Sequence, residues 1–471
     1  MQKLASKYGI AAHLALLTVA PLFLFPFVSV DTVATVLLWL SLLGAIWVVM
    51  GPSRRVDETA HEARLRVLHS CLRDPLFWFS LLFMVLAGVR WLNSGVDAVY
   101  DAEREVWTMA DAHFPMLPGS VAGIGMLPFA ASVALVVLFA GLRHAVGRQA
   151  RMSFALVASV LSGIAALVCV LSVSFGVPAM RALLSVGSLR PESLGTAFGL
   201  YFLCSLVTHF GCVEFRWIRA ELLSVVAFAA NGVALVTFAP VLTVLAFLVA
   251  FFLMAVISFI MMRKTLVGTG SFRCALAALT VLVVMGLFAL FAPPIFATGA
   301  KVESVMAMKV VPDNLLVFRS VLSDIAFRAW KTMPWTGSGL GAFPIDLRFF
   351  ASAADWKTLG AGVTMIPNGW WQLLVERGVV GALTFLIAFA LLFWTYFRRL
   401  VLSFSSIPGH PLQILGPIAM LTLVGLTFVD CSFLRADVLL AVCGFVALSA
   451  SDIPERKRSR DAKKTEDGNG R

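Results

Sequence analysis

The sequence predicts an all-α polytopic membrane protein of about twelve transmembrane helices, with cytoplasmic N- and C-termini and one large folded loop outside. Three observations carry this reading. Hydrophobic residues make up 60% of the 471 and charged residues only 13%, which is more apolar surface than a soluble domain of that length can bury. Apolar runs of about 20 residues, enough to cross a ~30 Å hydrocarbon layer as helix, recur along the whole chain. The Lys and Arg residues between those runs gather on alternate connections, the asymmetry that orients helices in a bilayer. The net charge of +11 therefore answers to an anionic inner leaflet, and no nucleic-acid partner is needed to explain it.

The runs fall near residues 10–29, 32–50, 75–93, 120–142, 153–176, 195–213, 222–239, 241–262, 274–292, 379–397, 411–429 and 433–450. The first has no small-residue cleavage site and a second run follows at once, which sets it apart from a signal peptide. The seventh and eighth divide at Pro240, because a single helix over both would far exceed the bilayer. With the N-terminus in the cytoplasm, the inner connections carry Arg54, Arg55, Arg64, Arg66 and Arg73, then Arg143, Arg148 and Arg151, and so on to the tail "RKRSRDAKK". The short outer loops hold only Arg104, Arg181, Arg190 and Arg435. The chain thus divides into spans one to nine with short loops (1–292), an outer loop (293–378), spans ten to twelve (379–450) and a basic cytoplasmic tail (451–471). Of the cysteines only Cys431 approaches the outer surface, so no external disulfide framework is expected, and no CxxC metal spacing occurs.

Two outer segments stand out. Residues 94–118, "SGVDAVYDAEREVWTMADAHFPMLP", are acidic and amphipathic, and are expected to form a helix on the membrane surface. Residues 293–378 form a loop of a length that is usually functional or disordered, and its Trp, Phe and Met content argues for folding. Within it, "DNLLVFRSVLSDIAFRAW" sets Leu315, Phe318, Leu322 and Ile325 on one helical face, capped by Asp313 or Asn314. Arg319 and Arg328 flank that stripe. Asp324 and Arg328 are spaced to pair along the helix surface. The following "PWTGSGLGAF" spaces Gly337, Gly339 and Gly341 like a phosphate cradle, but it lacks the Lys-Ser/Thr of a P-loop and follows a helix where a dinucleotide site needs a strand. It reads as a tight turn whose glycines supply positive φ.

This helix, the glycine turn and the later "NGWWQLLVERGVVGALTFLIAFALL" together closely resemble the C-terminal signature of the O-antigen ligase and polymerase family of bacterial envelope glycosyltransferases. The family pattern is an Arg, a "P-G-G-L-G-F" turn and a "His-Asn-…-Leu-Gln-…-Glu-Gly-…-Gly" segment. Arg319, Pro334, Gly337, Gly339, Gly341, Phe343, Asn368, Gln372, Leu373, Glu376, Gly378 and Gly381 match it. The layout agrees as well, with one large outer loop between spans nine and ten, and "RPESLGTAFGLYFLCSL" at 190–206 is a fainter echo of the family's entry to a span.

The resemblance implies a multi-pass protein of the bacterial inner membrane that moves a glycan from a polyprenyl-diphosphate carrier to a hydroxyl of an acceptor lipid or glycan, with no cofactor and no metal. Such a site needs cations to meet the charge that grows on the leaving diphosphate, and arginine binds phosphate oxygens in pairs. Arg319 is the implied cation, and Arg190 and Arg181 are candidates for the rest of the clamp. Asn368, Gln372, Gly337, Gly339 and Gly341 are implied substrate contacts. Each also has a plainer reading: Arg319 as a solvated helix residue, Arg181 and Arg190 as lipid-headgroup anchors, Asn368 as a helix cap. A base must take the acceptor proton, and the family's His position is Pro367 here, while Pro240 stands in the slot of an arginine the family often carries. His113, the one histidine on the outer face, is the imidazole left for that role. Two alternatives stay open: a catalytically inactive relative that binds lipid-linked glycan, and a twelve-span transporter or flippase, against which the scarcity of charge within the spans argues.

Overall fold

The computed structural model describes residues 2–25, 28–52, 58–101, 106–110, 114, 119–121, 125–174, 191–214, 216–239, 241–262, 269–291, 313–359, 366, 368–406, 412–428 and 435–449. The apolar helices are α1 (Gln2–Leu24), α2 (Val30–Met50), α4 (Pro75–Leu92), α5 (Met126–Leu138, extended by a π-helical segment Phe139–Ala145), α6 (Arg148–Ser174), α7 (Pro191–Glu214), α8 (Ile218–Phe238), α9 (Val241–Met262), α10 (Thr269–Phe291), α14 (Gly369–Ser406), α15 (Leu412–Thr427) and α16 (Ala436–Ser449). Between α2 and α4 lies a short polar helix α3 (Ala60–Leu72), and between α10 and α14 lie α11 (Asp313–Thr332), α12 (Phe343–Phe350) and α13 (Ala353–Leu359).

Eight helices are long and apolar enough to cross a membrane, and the apolar parts of α1, α10, α15 and α16 are shorter. The eight long apolar helices make the chain a helical multi-pass membrane protein. Local signals set several of the ends. Thr59 and Glu62 form a capping box that starts α3. Asp74 caps α4 ahead of Pro75 and also meets Arg143 at 2.8 Å and His144 at 2.9 Å at the end of the π-helical segment. The helix breaks between Phe238 and Val241, as a proline there requires. Pro240 itself lies outside the described residues.

The core is centred on α7, whose apolar window is buried on all sides, with α6, α8, α9, α16 and α1 around it. A polar group sits inside this core: the Asn231 amide of α8 donates to Ser162 Oγ, Ser205 Oγ and the Ala227 carbonyl.

One expectation is overturned. The described residues of 94–118 do not form a surface helix: Ser94–Asp101 (β1) and Val106–Ala110 (β2) pair antiparallel, Tyr100 opposite Trp107, and Ser120–Val121 (β3) adds to β1 in parallel. The β-branched and aromatic residues Val99, Tyr100, Val106, Trp107 and Thr108 favour a pleated strand over a helix. The same segment shows why span four begins at Met126 and not near 120.

Candidate functional site

The loop after α10 carries an apolar core of its own. Leu322, Ile325, Ala326 and Ala329 of α11 bury against Phe343 and Leu347 of α12, Leu359, Ile366 and Val375. Leu322 and Ile325 therefore do face inward, as their spacing predicts; the side chains of Leu315 and Phe318 lie outside the described residues. Asp324 and Arg328 pair at 2.8 Å on the solvated side, a contact worth little in water. Trp371 packs into the loop core and meets Phe327 edge-on.

The glycine turn is spliced into α14. At Gly378 (φ 64°, ψ −173°) the helix breaks, and an unbroken helix would pair the amide of residue 379 with the carbonyl of 375, and 380 with 376. Here the turn takes over each of those groups. The Val375 carbonyl accepts from Ser338 N at 2.8 Å and the Glu376 carbonyl from Gly339 N at 3.2 Å. In return Val379 N donates to the Pro334 carbonyl at 2.8 Å and Val380 N to the Trp335 carbonyl at 3.2 Å. These four backbone groups freed by the kink all find partners, the condition for a kink in a buried place. Gly337, Gly339 and Gly341 have φ of 72°, 117° and 75°, so the positive φ read from the sequence is what the turn uses. A Cβ on Gly337 would come within 2.5 Å of Arg377 N and the Glu376 carbonyl carbon, so the backbones touch.

Side chains lock the splice. Glu376 Oε1 accepts from Gly341 N at 3.0 Å and from Gln372 Nε2 at 2.7 Å, while Gln372 Oε1 accepts from Ile366 N at 2.8 Å. Asn368 caps α14, its Oδ1 accepting from Trp370 N and Trp371 N at 3.0 and 3.3 Å. Ser338 donates to Asp346 Oδ2 at 2.6 Å. Asp346 is 2% exposed, and its burial pushes the carboxyl up to about 7, with Glu376 adding to the rise and the Ser338 bond opposing it. The β-sheet joins here too: Val121 N donates to the Leu340 carbonyl, Leu340 N to the Gly119 carbonyl, and Ser120 Oγ to the Arg90 carbonyl. Arg90, near the end of α4, is 7% exposed and its Nη1 donates to the Glu376 carbonyl at 3.1 Å.

Of the residues singled out from the sequence, Gly337, Gly339, Gly341 and Gln372 come together in the splice. Asn368 acts as the cap of the same helix, and Arg319 stands half-buried on α11, which packs on α14. His113, Arg181, Arg190 and Pro367 lie outside the described residues. Sequence reading passed over Arg90, Arg377, Ser338 and Asp346. A signal existed for Arg90, an ionisable residue at the end of an apolar span, but its partner is 286 positions away. Among the described residues no group of three or more His, Cys, Asp or Glu is placed to hold a metal ion. Neither a protein-family model nor a curated protein sequence matches the chain.

Proposed function

We propose that this protein is a glycosyltransferase of the O-antigen ligase and polymerase kind, moving a glycan from a polyprenyl-diphosphate carrier to an acceptor hydroxyl at the outer face of the bacterial inner membrane. The observation that supports it is the splice: the glycine turn and the Asn368–Gly381 segment, the two halves of the resemblance, form one hydrogen-bonded unit. In the reaction the acceptor oxygen attacks the anomeric carbon, the bond to the diphosphate oxygen breaks with its electron pair, and the acceptor proton leaves to a base. Arginine side chains at this end of the bundle supply the charge that the leaving diphosphate needs. Pro367 in the place of the family's His favours one competing reading, an inactive relative that binds the donor without turning it over.

A single assay separates them. The purified protein in nanodiscs is given a lipid-diphosphate-linked glycan donor and acceptor. Turnover by the parent, lost in Arg319→Ala and strongly reduced in Arg319→Lys because lysine lacks the paired geometry, is the expected result. Pro367→His should then raise the rate, since a placed base contributes about 10²–10⁴-fold. Donor binding with no turnover in the parent or in Pro367→His would leave the binding-only relative as the account of this chain.

A further inference from the structure

We propose that α3 is an interfacial helix, lying in the headgroup layer at the end of the bundle where α4 begins and binding anionic lipid there. Such binding is independent of glycan transfer. Three sectors run along the helix at its 3.6-residue period. Ala63, Val67 and Cys71 are buried, and Val67 and Cys71 belong to the same apolar core as the long helices. That side seats α3 on the bundle, against the π-helical segment at the end of α5. Glu62, Arg66, His69 and Arg73 make up a polar side. Between the two, Leu65, Leu68 and Leu72 stand 47%, 55% and 48% exposed, at the spacing that puts them in one stripe.

Among the described residues nothing covers this stripe, and a contiguous apolar patch marks a surface with a partner. The stripe runs on into surface that faces lipid. Trp78 Nε1 donates to the Leu72 carbonyl at 2.9 Å, which fixes the end of α3 beside the side of α4 on which Trp78, Leu82 and Val85 are exposed. A tryptophan with its ring on an apolar face and its N–H on a polar group suits the bilayer interface. Charge agrees with an anionic surface. Arg64 and Arg73 flank the stripe and are exposed. The nearby carboxylates are engaged: Glu58 pairs with Arg66 at 2.7 Å, Glu62 closes the capping box with Thr59, and Asp74 meets Arg143 and His144. This is one of the basic connections expected inside, where the leaflet is anionic. Leucines that enter the acyl boundary leave arginine stems long enough to reach the phosphates. A soluble partner protein would cover the leucines but has no reason to continue onto a lipid-facing helix.

The test uses the full chain in nanodiscs of phosphatidylcholine alone and of phosphatidylcholine mixed with phosphatidylglycerol. With the native cysteines replaced, single spin labels are placed by Leu65→Cys, Leu68→Cys and His69→Cys. Their collisions with oxygen, which enters the bilayer, are compared with those with a water-soluble nickel chelate. Labels at 65 and 68 should favour oxygen, and the label at 69 should favour nickel. A label at 68 as open to nickel as the one at 69 would overturn the interfacial position. Shielding of 68 from both reagents would overturn it as well, since a second copy or another protein would then cover the stripe. With the native cysteines in place, the melting temperature of the parent should be higher in the anionic discs. Arg64→Gln together with Arg73→Gln should reduce that difference and leave the value in phosphatidylcholine alone unchanged. No difference in the parent, or a full difference in the double variant, would overturn the binding of anionic lipid by this helix.

Discussion

Around α7 the chain is held by side chains, and at Gly378 it is held by backbone. The surroundings of α7 are mainly apolar, with Tyr201, Phe198 and Phe202 fully buried and stacked rings such as Phe202 and Phe228 at 4.7 Å. Many residues share that work, and each hydrophobic contact has substitutes of similar size. The splice rests on four backbone hydrogen bonds between the turn and α14 and on glycines whose φ no other residue adopts comfortably. Cohesion spread over a large core tolerates change; cohesion concentrated in a few backbone groups does not, but it fixes position more tightly. That is the property a site for chemistry needs.

The sharpest way to break this contrast is a matched pair of glycine substitutions. Gly337→Ala combines a positive φ with backbone atoms 2.5 Å from the added Cβ, and it should destabilise the fold by about 3 kcal/mol or more. Gly286→Ala, in α10, meets nothing within 4 Å and should be neutral or stabilising by about 0.5–1 kcal/mol. Thermal unfolding in detergent compares them, and similar losses in both would dissolve the distinction.

A second test uses pH. Asp346 stands at about 7 in the folded protein against an ordinary 3.8, so the folded state holds a proton that the unfolded chain releases between those values. Stability from this group is therefore highest below about pH 4, falls as pH rises toward 7, and is level above. Subtracting the melting curve of Asp346→Asn from that of the parent across pH 4 to 8 should reveal this slope, since carboxylates that do not interact with Asp346 cancel in the difference. A flat difference would mean that Asp346 is solvated.

The smallest effect is expected inside the bundle. Asn231→Leu removes an amide whose serine partners keep carbonyl acceptors of their own, Ser162 on Ser159 at 2.9 Å and Ser205 on Tyr201 at 2.8 Å. Buried polar contacts in membrane bundles average about 0.6 kcal/mol, so a loss of about 1 kcal/mol or less is expected. A loss as large as that of Gly337→Ala would place the Asn231 cluster among the sites that position matters for.

The helices were legible because a bilayer demands a long apolar run, and such runs survive any detail of packing. The positive φ of Gly337, Gly339 and Gly341 was legible for a similar reason, being a local property of the residue type. The strands at 94–110 were not, because acidic residues interrupt the alternation that marks a strand, and an acidic amphipathic stretch suits a helix equally well. The partners of the glycines were not legible either. Ser338 and Val375 stand 37 positions apart and Arg90 and Glu376 stand 286 apart, and nothing local in one segment specifies the other. Asp346 carries no sequence signal, since its behaviour comes from burial alone.

The splice also sets which parts of the loop are free to vary in length. Residues 334–339 and 375–380 are in fixed register, so inserting one residue in either would misalign all four amide bonds together. The segment between them is tied to the splice near its start, by Gly341 N to Glu376 Oε1 and by Ser338 Oγ to Asp346 Oδ2, and from Ser352 onward the described residues add packing and the bond from Ile366 N to Gln372 Oε1. Lengthening a connection costs only slowly growing closure entropy. New residues can therefore enter between Ser352 and Ile366 while the spliced pair keeps its geometry, a division of the chain into a part that holds alignment and a part on which variation can act.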